Sequence, residues 1–274
     1  MDEYLRAALL GLVQALTEFL PISSSGHLVV AAELFGDEVG DLTFDVGLHV
    51  GTTLAVLLYF RRDWVLFGAS LRRDLRAHGG SVGRWRPRSR LALLIVLGSI
   101  PAFAAGAAIT LTLEDGLREP WLVGVLLIAV GLVIWVLDRA AQSRSLRDLG
   151  AGGALLIGVA QATALVPGVS RSGATIAAGR GLGLRREAAT RFSFLLSAPA
   201  VVGAAVALLG EAILGGEEVA WGPLLLGALV AAVVGMAVIR WLLRFVRRHS
   251  LAVFVWYRLA AGAAVLAAVA AGVL

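Results

Sequence analysis

The 274-residue chain contains neither cysteine nor lysine. The first absence excludes disulfides, thiolate catalysis and cysteine-based zinc sites. The second makes arginine the source of all 24 cationic side chains, so the net charge of +5 is set by arginine against acid alone. Aromatic residues are scarce, at 7% of the chain, and do not interleave with the arginines as a nucleic-acid surface requires, so no nucleic-acid partner is expected. The opening Met1-Asp2-Glu3-Tyr4 has no basic n-region, and the apolar run behind it is expected to stay in the mature protein. Apolar sequence is what the chain has in quantity. With 59% hydrophobic residues and a mean hydropathy of +0.86, it reads as an all-α polytopic membrane protein, and membrane lipids are its expected surroundings.

In such a chain clustered arginine reports topology. Residues 61–90 hold nine of the 24 arginines and are expected on the cytoplasmic side. The helix expected over 44–60 therefore runs inward, 91–111 returns outward to Glu114, Asp115 and Glu119, and 120–137 runs inward to Arg139, Arg144 and Arg147. Helices over 188–210, 222–243 and 251–273 continue the alternation, with Glu211, Glu217 and Glu218 at one end and Arg244, Arg247 and Arg248 at the other. Two segments do not fit a simple span. Residues 4–20 and 26–36 flank Pro21 and a serine cluster, and 151–165 and 172–183 flank Pro167-Gly168 and a second cluster. Each pair reads as a re-entrant helical hairpin, which membranes tolerate only where protein or a watery cavity satisfies the broken backbone. The expected architecture is six transmembrane helices and two re-entrant hairpins, one from each face.

The two hairpins are related. A shift of 147 positions superposes Gly11 on Gly158, Gln14 on Gln161, Ala15 on Ala162, Ser23 on Ser170, Ser25 on Ser172 and Gly26 on Gly173. Together with opposite entry faces this describes one membrane domain built as an inverted repeat, 1–148 and 149–274, with its site where the broken helices meet. Among the positions that differ, three change the chemistry: Glu18 faces Leu165, Ser24 faces Arg171 and His27 faces Ala174. One tip is acidic and nucleophilic, the other cationic, so they are expected to form one composite site.

Arg171 between Ser170 and Ser172, with Thr175 a turn later, offers a guanidinium fork, hydroxyls and a helix start, a combination suited to a phosphate or diphosphate. Gln14 and Glu18 stand four apart on one helical face and suit a hard divalent cation such as Mg²⁺ or Ca²⁺, with substrate phosphate completing the shell; Glu18 is alternatively a general base. Ser23 and Ser25 read individually as caps of the following helix, whereas Ser24 is the candidate nucleophile and His27 supplies an acid/base group beside it. His49 and Asp45 on the next helix read as core residues, the alternative being support of the site from behind its direct contacts. Spacings such as Gly124/Gly131 and Gly227/Gly235 permit close helix packing, within one protomer or in a homodimer.

Through Gln14-xxx-Glu18-Phe-Leu-Pro-Ile-Ser-Ser-Ser-Gly-His27 and Pro167-Gly-Val-Ser-Arg-Ser-Gly-Ala-Thr175, with weaker matches at Arg191-Phe-Ser-Phe-Leu-Leu-Ser-Ala-Pro199 and Phe254-Val-Trp-Tyr257-Arg258, the sequence resembles the undecaprenyl-diphosphatase family of bacitracin-resistance type. The resemblance implies removal of the terminal phosphate of undecaprenyl diphosphate, a C55 lipid, to give the monophosphate carrier of cell-wall glycan synthesis. It implies a divalent cation and a site open to the outer face of the bacterial plasma membrane. It places the family's glutamates on Gln14 and Glu18, its serine-histidine group on Ser23, Ser24 and His27, and its phosphate-binding motif on Ser170, Arg171 and Thr175. Gln14 departs from the commoner glutamate, which leaves Glu18 the more important ligand or base. Attack on phosphorus then comes either from Ser24 or from a metal-bound water. A lipid flippase or secondary transporter is the alternative, because paired broken helices are also a transporter architecture.

Overall fold

The computed structural model describes residues 3–35, 42–112, 119–215 and 220–274. The acidic loops around Asp37, Glu114 and Glu217, and the side chains of Asp45 and Glu211, lie outside what is described. The described residues form eleven α-helices and no β-strand, in the order α1 (Glu3–Phe19), α2 (Ser24–Phe35), α3 (Leu42–Tyr59), α4 (Arg61–His78), α5 (Pro87–Thr112), α6 (Pro120–Leu137), α7 (Ala151–Thr163), α8 (Arg171–Gly181), α9 (Arg186–Gly215), α10 (Trp221–Phe245) and α11 (Ala252–Ala270). Four of them, α5, α6, α10 and α11, are long and apolar enough to cross a membrane, which makes this a multi-pass membrane protein. The arginine-rich segment after α3 is not merely a connection: it contains α4, an amphipathic helix of 18 residues.

Helix α1 buries Ala7, Gly11, Gln14, Ala15 and Glu18, an i, i+4, i+7, i+8, i+11 stripe that is small or polar, while Leu5, Leu9, Leu12, Val13 and Leu16 face outward. That inversion suits a lipid environment, where small residues, not large ones, bring helices together. The stripe packs on α10 so closely that a Cβ on Gly11 would lie 2.3 Å from the carbonyl oxygen of Gly227. Helix α7 does the same with α5, where a Cβ on Gly158 would lie 2.2 Å from the carbonyl oxygen of Gly98. Gly124 meets Gly262 and Leu266 of α11, Gly131 meets Arg258, and Gly235 meets Phe19 and Ala55. The small-residue spacings thus serve packing within the chain.

One end of the bundle is tied by a buried ion-pair network. Arg180 donates from Nε to Asp138 Oδ1 (3.1 Å), from Nη2 to the carbonyls of Asp138 and Ala140 (2.7 Å each) and from Nη1 to the carbonyl of Leu184. Asp138 also accepts from Arg186 Nε (2.7 Å) and from the N–H of Leu251 (3.1 Å), so one carboxylate joins the end of α6 to α8, α9 and the segment before α11. The Arg180 side chain is fully buried, and removal of its counter-charge leaves a cation with no carboxylate partner. Asp138→Ala is expected to cost about 3–5 kcal/mol of unfolding free energy. A denaturation midpoint equal to the parent's, measured on purified protein, would refute that role.

Candidate active site

Pro21 lacks an N–H and disfavours a helical Leu20, so α1 ends at Phe19. The chain then turns at Ser23, which takes a left-handed φ of +75°, costly for a non-glycine residue. Its hydroxyl accepts the N–H of Gly26 (3.3 Å) and its carbonyl accepts the N–H of His27 (3.2 Å), so Ser23 caps α2. The second break repeats the device at the aligned position. Ser170 has a φ of +74°, its hydroxyl accepts the N–H of Gly173 (3.1 Å), and α8 begins at Arg171. The tips touch: a Cβ on Gly26 would stand 3.3 Å from the Cα of Gly168. They are held from α11 by Arg258, fully buried, which donates to the carbonyls of Gly168 (2.8 Å), Val169 (3.3 Å) and Pro21 (3.4 Å) as well as to Leu126 and Leu127 of α6 (3.1 Å each).

Between the tips stands Glu18, buried at the end of α1. Its Oε2 accepts from Ser24 Oγ at 2.6 Å and from Gln14 Nε2 at 3.1 Å, and lies 3.5 Å from His49 Nε2. Its Oε1 accepts from Arg171 Nη2 at 2.6 Å. Ser24 and Arg171, which face each other in the repeat, are therefore both in direct contact with Glu18. Ser24 and Arg171 are also the first residues of α2 and α8, so the N-terminal ends of two helices, the positive ends of their dipoles, meet at one carboxylate. Two polar atoms at this place are buried with no hydrogen-bond partner, Arg171 Nη1 and Gln14 Oε1.

The remaining expected residues are placed differently. His27 is not bonded to Ser24. Its Nδ1 lies 2.6 Å from the Ser23 carbonyl, which can only accept, so Nδ1 carries the proton and Nε2 accepts from the Tyr257 hydroxyl (2.6 Å), with the two rings stacked at 5.7 Å. Ser172 donates to the Leu20 carbonyl of the opposite tip (3.0 Å), and Thr175 bonds the Arg171 carbonyl (2.7 Å) and Ser193 (2.6 Å). Ser170, Ser172 and Thr175 thus shape the arginine's platform, while Arg171 alone presents an unpaired donor. His49, taken from the sequence as core, stands at the Glu18 carboxylate. Tyr257 and Arg258 entered the sequence argument only within a family motif; the signal for Arg258 was a cation inside a long apolar run.

A hard cation needs oxygen ligands, and Gln14 Oε1 and the Glu18 carboxylate supply two. Among the described residues no three His, Asp or Glu side chains cluster, so an all-protein cage is not built here. The donor set fits a cation completed by substrate phosphate and water, the manner usual for Mg²⁺.

The family model described as bacitracin resistance protein BacA matches residues 7–264. Among curated proteins the chain is 44% identical to the undecaprenyl-diphosphatase of a Nocardioides species over 282 aligned residues, covering 100% of this chain and 99% of that protein. It is 47% identical to the undecaprenyl-diphosphatase of Anaeromyxobacter dehalogenans, with 98% of this chain and 92% of that one covered. With the undecaprenyl-diphosphatase of Geobacter sulfurreducens it shares 46% identity over 97% and 98% of the two chains.

Proposed function

The chain belongs to the bacitracin resistance protein BacA family, and on that premise we propose how it works as an undecaprenyl-diphosphatase, hydrolysing undecaprenyl diphosphate to undecaprenyl phosphate and inorganic phosphate. The observation that carries the mechanism is a single carboxylate contacted at 2.6 Å on one oxygen by Ser24 Oγ and on the other by Arg171 Nη2. Arg171 Nη1 and the N–H groups opening α2 and α8 receive the terminal phosphate. Glu18 takes the Ser24 proton as Oγ attacks the terminal phosphorus; the bond from that phosphorus to the bridging oxygen breaks, and undecaprenyl phosphate leaves. Glu18 passes its proton to the departing phosphate, then takes one from water as that water attacks the phosphoserine. The P–O bond to Oγ breaks, Ser24 regains a proton and inorganic phosphate departs. His27, with its tautomer fixed by Ser23 and Tyr257, borders this route and does not serve Ser24 directly.

A divalent cation would be held by Glu18 and Gln14 Oε1, where it supplies charge neutralisation at the diphosphate oxygens. The test is phosphate release from a C55 prenyl diphosphate by purified protein in detergent. Release is expected, with loss in excess EDTA and recovery on adding Mg²⁺ or Ca²⁺. Full activity in EDTA would remove the cation from the mechanism, and absence of release under every divalent ion would overturn the function.

We read the chain as six spans, α3, α5, α6, α9, α10 and α11, with α1/α2 and α7/α8 as re-entrant pairs of an inverted repeat divided at residues 148 and 149. Two observations support this. The first helix of each half packs on the penultimate helix of the other, α1 on α10 and α7 on α5. The left-handed serines fall at positions superposed by the repeat. The arginine-rich ends of α3, α6 and α10 support a bacterial plasma-membrane orientation with these ends cytoplasmic and the site open to the opposite side.

A further inference from the structure

Helix α4 carries a cationic face that the reaction does not use. At 100° per residue, Arg61, Arg62, Arg72, Arg73 and Arg76 fall within a sector of about 120° along roughly 22 Å of helix. All five are exposed, whereas Phe67, Ser70 and Asp74 are buried on the opposite side. The face cannot roll inward, because Asp74 accepts the hydroxyl of Ser89 (2.6 Å) and the N–H of Arg86 (2.8 Å) at the start of α5. The Ser89 hydrogen bond, reinforced by Arg86, holds the Asp74 carboxyl below its ordinary range, so the anchor is ionised at neutral pH. Among the described residues Arg62, Arg72, Arg73 and Arg76 form no ion pair; the nearby carboxylate of Asp63 is taken by Arg191 at 2.6 Å.

Apolar groups are mixed into this face. Val65, in the middle of the arginine sector, is 71% exposed, and Leu66 and Leu75 at its margins are 39% and 47% exposed. A nucleic acid backbone offers nothing for these side chains, whereas a leaflet offers phosphate to the arginines and acyl chain to Val65 and the leucines at one surface. Position agrees. Only Phe60 separates α4 from α3, and a short turn at Val82–Arg84 leads from it to α5, a candidate span, so both ends of α4 are fixed at the level where chain enters membrane. Trp85, which donates from Nε1 to the Gly79 carbonyl (3.1 Å), lies just beyond α4 as interfacial tryptophans do.

We propose that the outward face of α4 is a docking surface for anionic phospholipid headgroups, separate from the hydrolytic site and independent of the reaction assigned to it. The test uses full-length protein in neutral detergent, titrated with phosphatidylglycerol or phosphatidylcholine and followed by native mass spectrometry of retained lipid. Phosphatidylglycerol is expected to be retained at least about tenfold over phosphatidylcholine, the preference shrinking with added salt. Replacement of Arg62, Arg72, Arg73 and Arg76 by Gln is expected to abolish it, and replacement of the same four by Lys to keep most of it. Should the Gln variant fail to fold, Arg72→Gln/Arg76→Gln is expected to reduce the preference at least about threefold. Equal retention of both lipids, a preference that survives in a folded Gln variant, or displacement of phosphatidylglycerol by inorganic phosphate, polyglutamate or an oligonucleotide at matched ionic strength would overturn the assignment.

Discussion

Ser24→Ala is expected to lower phosphate release by about 10³-fold or more while leaving the thermal midpoint of the purified protein close to the parent's. The two halves of that expectation have different causes. The hydroxyl donates one hydrogen bond, to Glu18 Oε2, and its loss leaves that oxygen with Gln14 and His49 still at hand. The Glu18 to Arg171 contact is on the other oxygen and is untouched. Stability is therefore largely retained and the nucleophile is gone. Glu18→Gln provides the contrast. It removes the base and leaves Arg171 buried without its counter-charge, so both turnover and stability should fall. A rapid-quench experiment with terminally labelled substrate is expected to trap label on Ser24 in the parent. Near-normal turnover by Ser24→Ala would instead assign attack to water.

The second large effect is expected at Arg258. This cation has no carboxylate among its hydrogen-bond partners; it is satisfied by five carbonyls, two in α6 and three in the broken tips. Those tip carbonyls are free because α1 ends at Phe19 and α7 at Thr163, and each would cost free energy in a membrane interior if left unsatisfied. Arg258→Met removes all these donors at once, and a loss of several kcal/mol is expected, since hydrogen bonds from a charged group contribute about 1.5–3 kcal/mol each. Arg258→Lys should rescue poorly, because one ammonium cannot span three segments in a planar fork. The measurement is phosphate release together with the thermal midpoint. Wild-type values for both in Arg258→Lys would show that charge alone suffices there.

The sequence carried the helices because each is bounded by marks that act locally. Pro120 opens α6 and apolar sequence runs to Asp138; Pro21 and the serines close α1 and start α2. The composite site was legible for a related reason: among the positions where the copies differ, Glu18, Ser24 and Arg171 carry the reactive groups, and those three are in contact. What was not legible depends on tertiary approach. His49 stands on a helix apart from α1, and its polar neighbours at helical spacing, Asp45, Thr52 and Thr53, say nothing of Glu18, which meets it only through tertiary packing. His27 looked like the partner of Ser24 because they are three residues apart, yet a left-handed Ser23 turns its ring to that residue's carbonyl and to a tyrosine in the last helix. The arginines of α4 were read as a marker of sidedness, which hid their arrangement on one helical face.

The close approach of Gly11 to Gly227 has a bearing on biosynthesis. During translation α1 leaves the ribosome first, and its packing surface, including the turn that carries Glu18, waits through most of the chain until α10 is made. α7 has no such wait, because α5 precedes it. Helix α7 can therefore dock on insertion while α1 cannot, a chain released before α10 would leave the stripe of α1 that carries Gln14 and Glu18 without the wall it packs on, and both tips wait for Arg258 of α11. The lipid-cleaving centre is thus completed only when the last two helices are in place.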